Sequence, residues 1–246
     1  MGVTGPLFRY LFVNCVSPGK IVSLDGNLLM QQFTLIHDGS NQGWQAAYLA
    51  FHVSAQLGAP LQVLLGASTN KATLVQRAAQ VEIGGRAARV AIGTRLVADF
   101  SLDTLLENTT SIDGLFVPRR LVPDGKTAVR FLETLSCPLW IVSRGPEIHK
   151  MAVLVTDPLV DEKLLHYIST LSHRLQQSLT GLIQAEKVAS MSQNDLELGW
   201  EPIPNFSSHE ISTTVDQLDV DLLFVPASKA SLIDHLTSNC VVFPAM

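Results

Sequence analysis

The chain has 246 residues, 47 % apolar and 16 % charged, with a formal net charge of −5, which is apolar material enough for one large or two small well-buried cores. It has no basic excess to neutralise phosphates, which argues against nucleic acid as a partner. The apolar run Leu7–Val16 is broken by Arg9 and Asn14, falls far short of the roughly 20 residues of a spanning helix, and has no small-residue cleavage site after it, so no membrane partner is expected and the chain reads as cytoplasmic.

In chain order, residues 1–32 place Leu7–Val16 and Ile21–Leu24 around Ser17-Pro-Gly-Lys20, a turn signal that suggests a hairpin or an added edge strand. Such an extension either covers a hydrophobic edge or serves as a lid or dimer arm. Phe33–Ile36 is a short apolar strand, and Asp38-Gly-Ser-Asn41 turns the chain and caps a helix. Trp44, Ala47, Tyr48, Phe51 and Ala55 form one helical stripe, stopped by Gly58 and Pro60. Leu61–Leu65 is the second strand, Ala72–Ile83 a helix, Ala88–Ile92 the third strand, Leu102–Asn108 a helix, and Gly114–Val117 the fourth strand. Lys126–Leu135 is the last helix and Leu139–Val142 the fifth strand. Strands alternating with helices predict a parallel sheet covered on both faces.

The second half runs the same course less clearly. Ala152–Val155 reads as a strand, and Leu164, Ile168, Leu171, Leu175 and Leu179 as a long helical stripe after Pro158. Leu182–Ala185 suits a second strand and Val188–Leu198 a helix. Gly199-Trp-Glu-Pro-Ile-Pro204 reads as a loop, Glu210–Thr213 as the third strand, Leu222–Val225 as the fourth and Val241–Phe243 as the last.

Three blocks recur in order. Phe33-Thr-Leu-Ile-His-Asp38 is echoed by Ala152-Val-Leu-Val-Thr-Asp157, Asp113-Gly-Leu-Phe-Val-Pro118 by Asp221-Leu-Leu-Phe-Val-Pro226, and Cys137-Pro-Leu-Trp-Ile-Val142 by Cys240-Val-Val-Phe243, at offsets of 119, 108 and 103 residues. The repeat predicts two equivalent halves, 33–145 and 150–246, whose apolar last strands cover each other's edges.

The segment Phe33 to Leu65, with its Asp-Gly-Ser strand end and Gln-Leu-Gly-Ala before the second strand, resembles the opening of a universal stress protein domain. Asp113-Gly-Leu-Phe-Val, a helix and Cys-Pro-Leu-Trp-Ile-Val resemble that family's close. The resemblance implies two tandem open α/β domains, each of strand order 3-2-1-4-5, with a ligand crevice where strands 1 and 4 diverge. Elementary reasoning reaches the same place, since open parallel sheets bind ligands at such a switch point. In nucleotide-binding members the acidic residue closing strand 1 faces the adenine and ribose, which makes Asp38, and Asp157 in the second copy, the candidate cofactor-binding positions. The family's phosphate loop, Gly-x2-Gly-x9-Gly-Ser/Thr, brings backbone N–H groups close to the phosphates. Here strand 4 is followed by Pro118-Arg-Arg-Leu-Val-Pro-Asp-Gly-Lys-Thr127 and Pro226-Ala-Ser-Lys-Ala-Ser231, and both copies lack that cradle.

Other candidates are weaker. Gly125-Lys-Thr127 is no P-loop, because Arg120 stands where that motif has its first glycine. Arg119, Arg120, Lys126 and Arg130 form either a side-chain anion site or a solvated loop. The histidines lack the spacing of a zinc site. Three scattered cysteines, Cys15, Cys137 and Cys240, suggest neither disulfides nor zinc, and Cys137 and Cys240 read as packing residues that begin equivalent strands. Gly39-Ser40 is not a nucleophile elbow. With no catalytic residues and no metal site in view, the expectation is a non-enzymatic stress-response or signalling protein without a cofactor. It would act on a protein partner or by self-association, a homodimer being one form. The alternative is a switch or slow ATPase that binds ATP or AMP near Asp38. An enzyme of the adenine-nucleotide hydrolase group is remote, for want of a Ser-Gly-Gly-x-Asp-Ser-type signature.

Overall fold

Phe33–His37 forms β1, buried at all five positions, as expected of a strand flanked on both sides and covered on both faces. The computed structural model describes residues 32–66, 70–109, 113–145, 147–156, 162–190 and 199–244. The extension expected before residue 32, and Asp157, lie outside the described residues. Ser40 caps α1 (Asn41–Leu57), its hydroxyl accepting the Gly43 N–H, and left-handed Gly58 closes it. There follow β2 (Leu61–Gly66), α2 (Lys71–Ala87), β3 (Ile92–Val97), α3 (Leu102–Asn108), β4 (Gly114–Pro118), α4 (Gly125–Leu135) and β5 (Leu139–Val142). The second half contains β6 (Lys150–Val155), α5 (Glu162–Leu175), β7 (Ser178–Gln184), β8 (Gly199–Ile203), α6 (Ser208–Gln217), β9 (Leu222–Pro226) and β10 (Asn239–Phe243), with a 3₁₀ segment, Ala227–His235, between the last two.

The strands form one sheet of order β3-β2-β1-β4-β5-β10-β9-β6-β7-β8. Each half thus has the order 3-2-1-4-5. All neighbours are parallel except β5 and β10, which pair antiparallel, Leu139 with Val242, Trp140 with Val241 and Ile141 with Cys240. The last strands do cover each other, and this register sets an approximate two-fold axis at the Trp140–Val241 pair.

The same registers correct two of the sequence offsets. Thr34 pairs with Leu115 and Ala152 with Leu223, so β1 and β6 correspond at 118 residues, not 119. The bottoms of the strands agree: the Asp113 N–H donates to the Gln32 carbonyl and the Asp221 N–H to that of Lys150. Their carboxylates accept the N–H groups of Gln32 (2.9 Å) and Lys150 (3.1 Å). A one-residue slip would exchange the faces of the strand. The corrected offset keeps Leu35 and Val153 in one core and Ile36 and Leu154 in the other. The last strands correspond at 101 residues rather than 103. Cys240 lies inside β10 whereas Cys137 precedes β5, so the two cysteines do not begin equivalent strands; both are buried.

Three other expectations fail for identifiable reasons. The third strand lies at Ile92–Val97, not Ala88–Ile92, because Ala88 and left-handed Arg89 (φ 60°) close α2. Gly93, Thr94 and Arg95 interrupt its apolar run and hide it from an apolar search. Gly199–Ile203, expected as a loop, is the edge strand β8, where Pro202 is tolerated because only one side of the strand is paired. Glu210–Thr213, expected as a strand, lies inside α6. Ser207 caps that helix, and Ile211 and Val215, four apart, are buried together. In addition Leu179 belongs to β7 rather than to the helix before it. Of the stretch expected as a helix over Val188–Leu198, the described part is 3₁₀ (Ala185–Ser190).

Two cores sandwich the sheet. One lies under α1, α2 and α5 and is centred on Trp140, which stacks on Phe116 (4.8 Å between centroids) and meets Phe33 and Phe224 edge-on. A side chain at Gly114 would collide with that indole (2.9 Å to Nε1). The counterpart of the indole, Val241, is smaller and leaves room for Leu222, the counterpart of Gly114. The other core lies under α3, α4 and α6. There α4 packs on the 3₁₀ segment of the second half so tightly that a side chain at Gly125 would strike the Ala230 carbonyl (2.5 Å). Asp234 accepts the Gly125 N–H at 2.9 Å. The glycine of the Gly125-Lys-Thr127 triplet therefore serves contact between the halves.

Candidate functional site

The crevice expected at the switch point is built by the residues that follow β1 and β4. Asp38 stands directly after β1. Its Oδ1 accepts the Ser40 N–H (2.9 Å) and hydroxyl (2.6 Å). Gly43 in the first turn of α1 passes close enough that a Cβ there would lie 2.5 Å from Asp38 Oδ1, so the carboxylate is clamped between turn and helix. The other oxygen, Oδ2, is taken by Arg120, which follows β4 and donates through Nε. The Arg120 N–H also donates to Gln42 Oε1 (3.1 Å), fastening the loop after β4 onto α1. The Asp38 side chain is only 2 % exposed, that of Arg120 53 %. Burial pushes the carboxyl up, but the hydrogen bonds from Ser40 and then Arg120 outweigh it and hold Asp38 below the usual carboxylate range.

Beside this pair, His37 is fully buried. Its Nδ1 accepts the Gly39 N–H (3.1 Å), its ring meets Trp44 edge-on at 4.3 Å, and Nε2 has no partner. Burial, and next the charge of Arg77, push its pKa down to about 4, so it is neutral at physiological pH. Arg77 reaches across from α2: a Cβ on Gly39, which is left-handed at φ 81°, would lie 2.2 Å from the guanidinium carbon. Sequence reasoning missed Arg77 and His37. Arg77 stands in a helix with no apolar stripe to mark its facing, and His37 ends a strand whose burial follows only from its central place in the sheet.

Of the basic residues singled out after β4, Arg120 joins the crevice and Arg119 does not. The Arg119 guanidinium donates to the Ile233 carbonyl of the second half, so it is a bridge between halves. The chain after Pro118 turns as a 3₁₀ segment, Arg119–Leu121, before α4 begins, and offers no glycine with which to approach a phosphate.

In the second half the register makes Thr156 the equivalent of Asp38. Lys187, after β7, donates to the Thr156 carbonyl, and the 3₁₀ segment after β9 contains no glycine. The buried thiols Cys137 and Cys240 have pKa values pushed up to about 12 by burial, which makes them inert packing groups. Among the described residues no cluster of three or more His, Cys, Asp or Glu is placed to hold a metal. No described helix is long and apolar enough to cross a membrane.

No protein-family model matches the sequence, and no curated protein matches it. Solved structures do. A universal stress protein from Archaeoglobus fulgidus superposes with a TM-score of 0.63 at 10 % identity, over 88 % of this chain and 99 % of that one. A putative universal stress protein from Pseudomonas aeruginosa gives 0.62 at 10 % identity, over 89 % and 95 %. The cytoplasmic domain of a prokaryotic cation chloride cotransporter gives 0.56 at 11 %, over 86 % and 94 %. At such identities the likeness is one of fold, and the fold of this chain is that of the universal stress proteins.

Proposed function

We propose that this chain is a non-enzymatic, universal stress protein-like protein that works in the cytoplasm, in a stress or signalling response, by contact with a protein partner or with itself, and that it takes up ATP weakly or not at all. The observation that supports this is the closure of the crevice from within. The carboxylate that would face a ribose is already engaged on both oxygens, by Ser40 and Arg120. The loop that would cradle phosphates is tied to Gln42 and lacks glycine at the needed places. Without converging N–H donors a triphosphate would leave most of its charge unpaired in the crevice. Isothermal titration with ATP should give a dissociation constant no tighter than roughly 100 μM, about 5 kcal/mol of binding free energy.

The second reading, an ATP- or AMP-binding switch or slow ATPase centred on Asp38, draws on one observation. The half-exposed Arg120, and Arg77 over Gly39, provide positive charge at the mouth of the crevice. Low-micromolar binding of ATP, abolished by Asp38→Ala, would decide for that reading and against the first.

A further inference from the structure

Helix α2 is apolar on opposite faces, which is why no single stripe marks its facing. Ala78 and Val81 pack inward, Gly85 lies against Ile92 of β3, and Gly84 lies against Phe51 of α1. Val75, Ala79 and Ile83 follow one another every four residues, at about 80°, 120° and 160° round the helix from Gly85 on the side away from Gly84. They therefore point away from α1 and off the sheet. Val75 and Ile83 are 62 % and 66 % exposed, and Leu96 of β3 is 58 % exposed. Leu96 stands four residues after Ile92 in the strand and so on the same face of the sheet as α2. Glu82 and Arg86, at the margin of this patch, pair with each other (3.7 Å).

A helix that is apolar all round is normally buried all round. An apolar face shared by a helix and a strand that, among the described residues, ends the sheet is a surface that folded proteins seldom leave uncovered. The other large apolar side chains with high exposure among the described residues, Tyr48, Leu106 and Val188, lie on three separate elements and form no such patch.

We infer that this face is the docking site of the chain's own residues 7–16. Eight of those ten are apolar, with only Arg9 and Asn14 between them, and such a run needs a surface to be buried on. They lie outside the described residues, but the point at which the chain enters the fold is described. The Gln32 side chain donates to that of Gln62 in β2 (3.0 Å), and the Phe33 N–H donates to the Pro60 carbonyl (3.0 Å). The Leu61 N–H in turn donates to the Ala91 carbonyl (2.9 Å), so the base of β1 is joined through β2 to the base of β3, where α2 ends. From β1 to β3 is two strand spacings, about 10 Å, and from Ile83 to Val75 is about 12 Å along the helix. Fifteen residues separate Val16 from Gln32 and can span up to about 50 Å, so the run reaches the whole patch. Attachment also selects this occupant over a second copy: a tethered run meets the patch at an effective concentration on the order of millimolar, whereas another chain competes only at its bulk concentration. The extension then covers the β3 end of the sheet and leaves the crevice between β1 and β4 untouched, so no result with ATP bears on the inference.

Disulfide trapping in the full chain tests it, because Cys15 belongs to the run and the other two cysteines, Cys137 and Cys240, are buried. Val75→Cys and Ile83→Cys place a thiol at either end of the patch, and Val188→Cys places one on an exposed residue of the other half. Each variant is oxidised at low protein concentration, and the bridge to Cys15 is timed by peptide mass spectrometry. Bridging within one chain should be at least about tenfold faster for Val75→Cys or Ile83→Cys than for Val188→Cys. Equal rates at all three positions, or bridges formed mainly between chains, would overturn the inference. Trypsin gives a second reading, since Arg9 lies inside the run. Val75→Asp with Ile83→Asp, both on exposed residues, should keep the far-UV circular dichroism of the wild type and speed cleavage after Arg9 at least about fivefold. Cleavage after Arg9 that is as fast in the wild type would equally overturn it, and the trapping rates decide the matter without these two substitutions.

Discussion

The same five-strand unit occurs twice in this chain, and the halves differ most where a ligand would bind. In the first, β1 ends in His37 and is followed by Asp38, the carboxylate is clamped by Ser40 and Arg120, and Arg77 lies over Gly39. In the second, the same register positions are Val155 and Thr156, and Lys187 donates to the Thr156 carbonyl. The cores show the opposite relation. Phe33, Leu35 and Ile36 are matched by Met151, Val153 and Leu154, all buried. Packing needs only apolar volume on the correct face, so it survives divergence that replaces the polar side chains at the end of the first strand, His37 and Asp38, by Val155 and Thr156.

The largest test of this comparison is at the two-fold axis, where Trp140 faces Val241. Trp140→Ala should lower unfolding free energy by about 3–5 kcal/mol. Val241→Ala should lower it by only about 2 kcal/mol, because burying a valine side chain is worth roughly 1.5–3 kcal/mol in all. Urea unfolding monitored by far-UV circular dichroism measures both, and equal losses would mean that the aromatic centre is no more important than its counterpart.

Next comes His37 against Val155. The folded-state pKa of His37, pushed down to about 4, lies below its unfolded value near 6.5. The unfolded chain therefore takes up the proton first as pH falls. The contribution of His37 is whole above about pH 6.5 and is lost on the way down to about pH 4, to the order of 3 kcal/mol. Asp38, also held low, loses its contribution in a separate window, below the ordinary carboxylate pKa of about 3.9. Stability curves of His37→Gln should be flatter than wild type between pH 6.5 and 4, those of Asp38→Asn only at lower pH, and Val155→Ala should leave the slope unchanged in both ranges.

Smaller still is the effect of opening the crevice. Arg120→Ala leaves Asp38 buried with Ser40 as its remaining donor, which should cost about 1–2 kcal/mol, since the arginine is half exposed and its contribution is screened by water. Thermal melts in low and high salt check this, and no loss would mean that the pair is incidental. The smallest effect concerns helix ends. Here α1 stops at Gly58 (φ 66°), whereas α4 stops at Ser136 in the same left-handed conformation (φ 51°). Ser136→Gly should raise stability by about 0.5–1 kcal/mol, the relief of backbone strain exceeding the added entropy of the unfolded chain.

Most of the first half was legible in the sequence, and less of the second. Where a strand is central, as β1, β4 and β5 are, an unbroken apolar run marks it, and its position followed to within a residue. Where a strand lies at an edge, as β3 and β8 do, half of its side chains meet water and the run disappears. Proline and glutamate in β8 then looked like a loop. In α6, Glu210–Thr213, with β-branched Ile211 and Thr213, looked like a strand, until the burial of Ile211 together with Val215, four residues on, showed a helix face. Of the crevice, Asp38 was named through the family resemblance and Arg120 among the basic residues after the fourth strand, whereas Arg77 arrives from a helix 39 residues away in sequence with no apolar stripe to mark its facing.

By itself the sequence determined the repeat, the alternation of strand and helix, and the absence of a glycine cradle, since each of these is written in local residue type and spacing. Only the tertiary structure decided the true offset between the copies, the antiparallel register in which β5 and β10 meet, and the roles of the two adjacent arginines, with Arg120 closing the crevice and Arg119 bridging the halves. The physical reason is that register depends on which backbone groups face one another across strands. A long charged side chain, likewise, takes its role from whichever oxygen the fold brings within its reach.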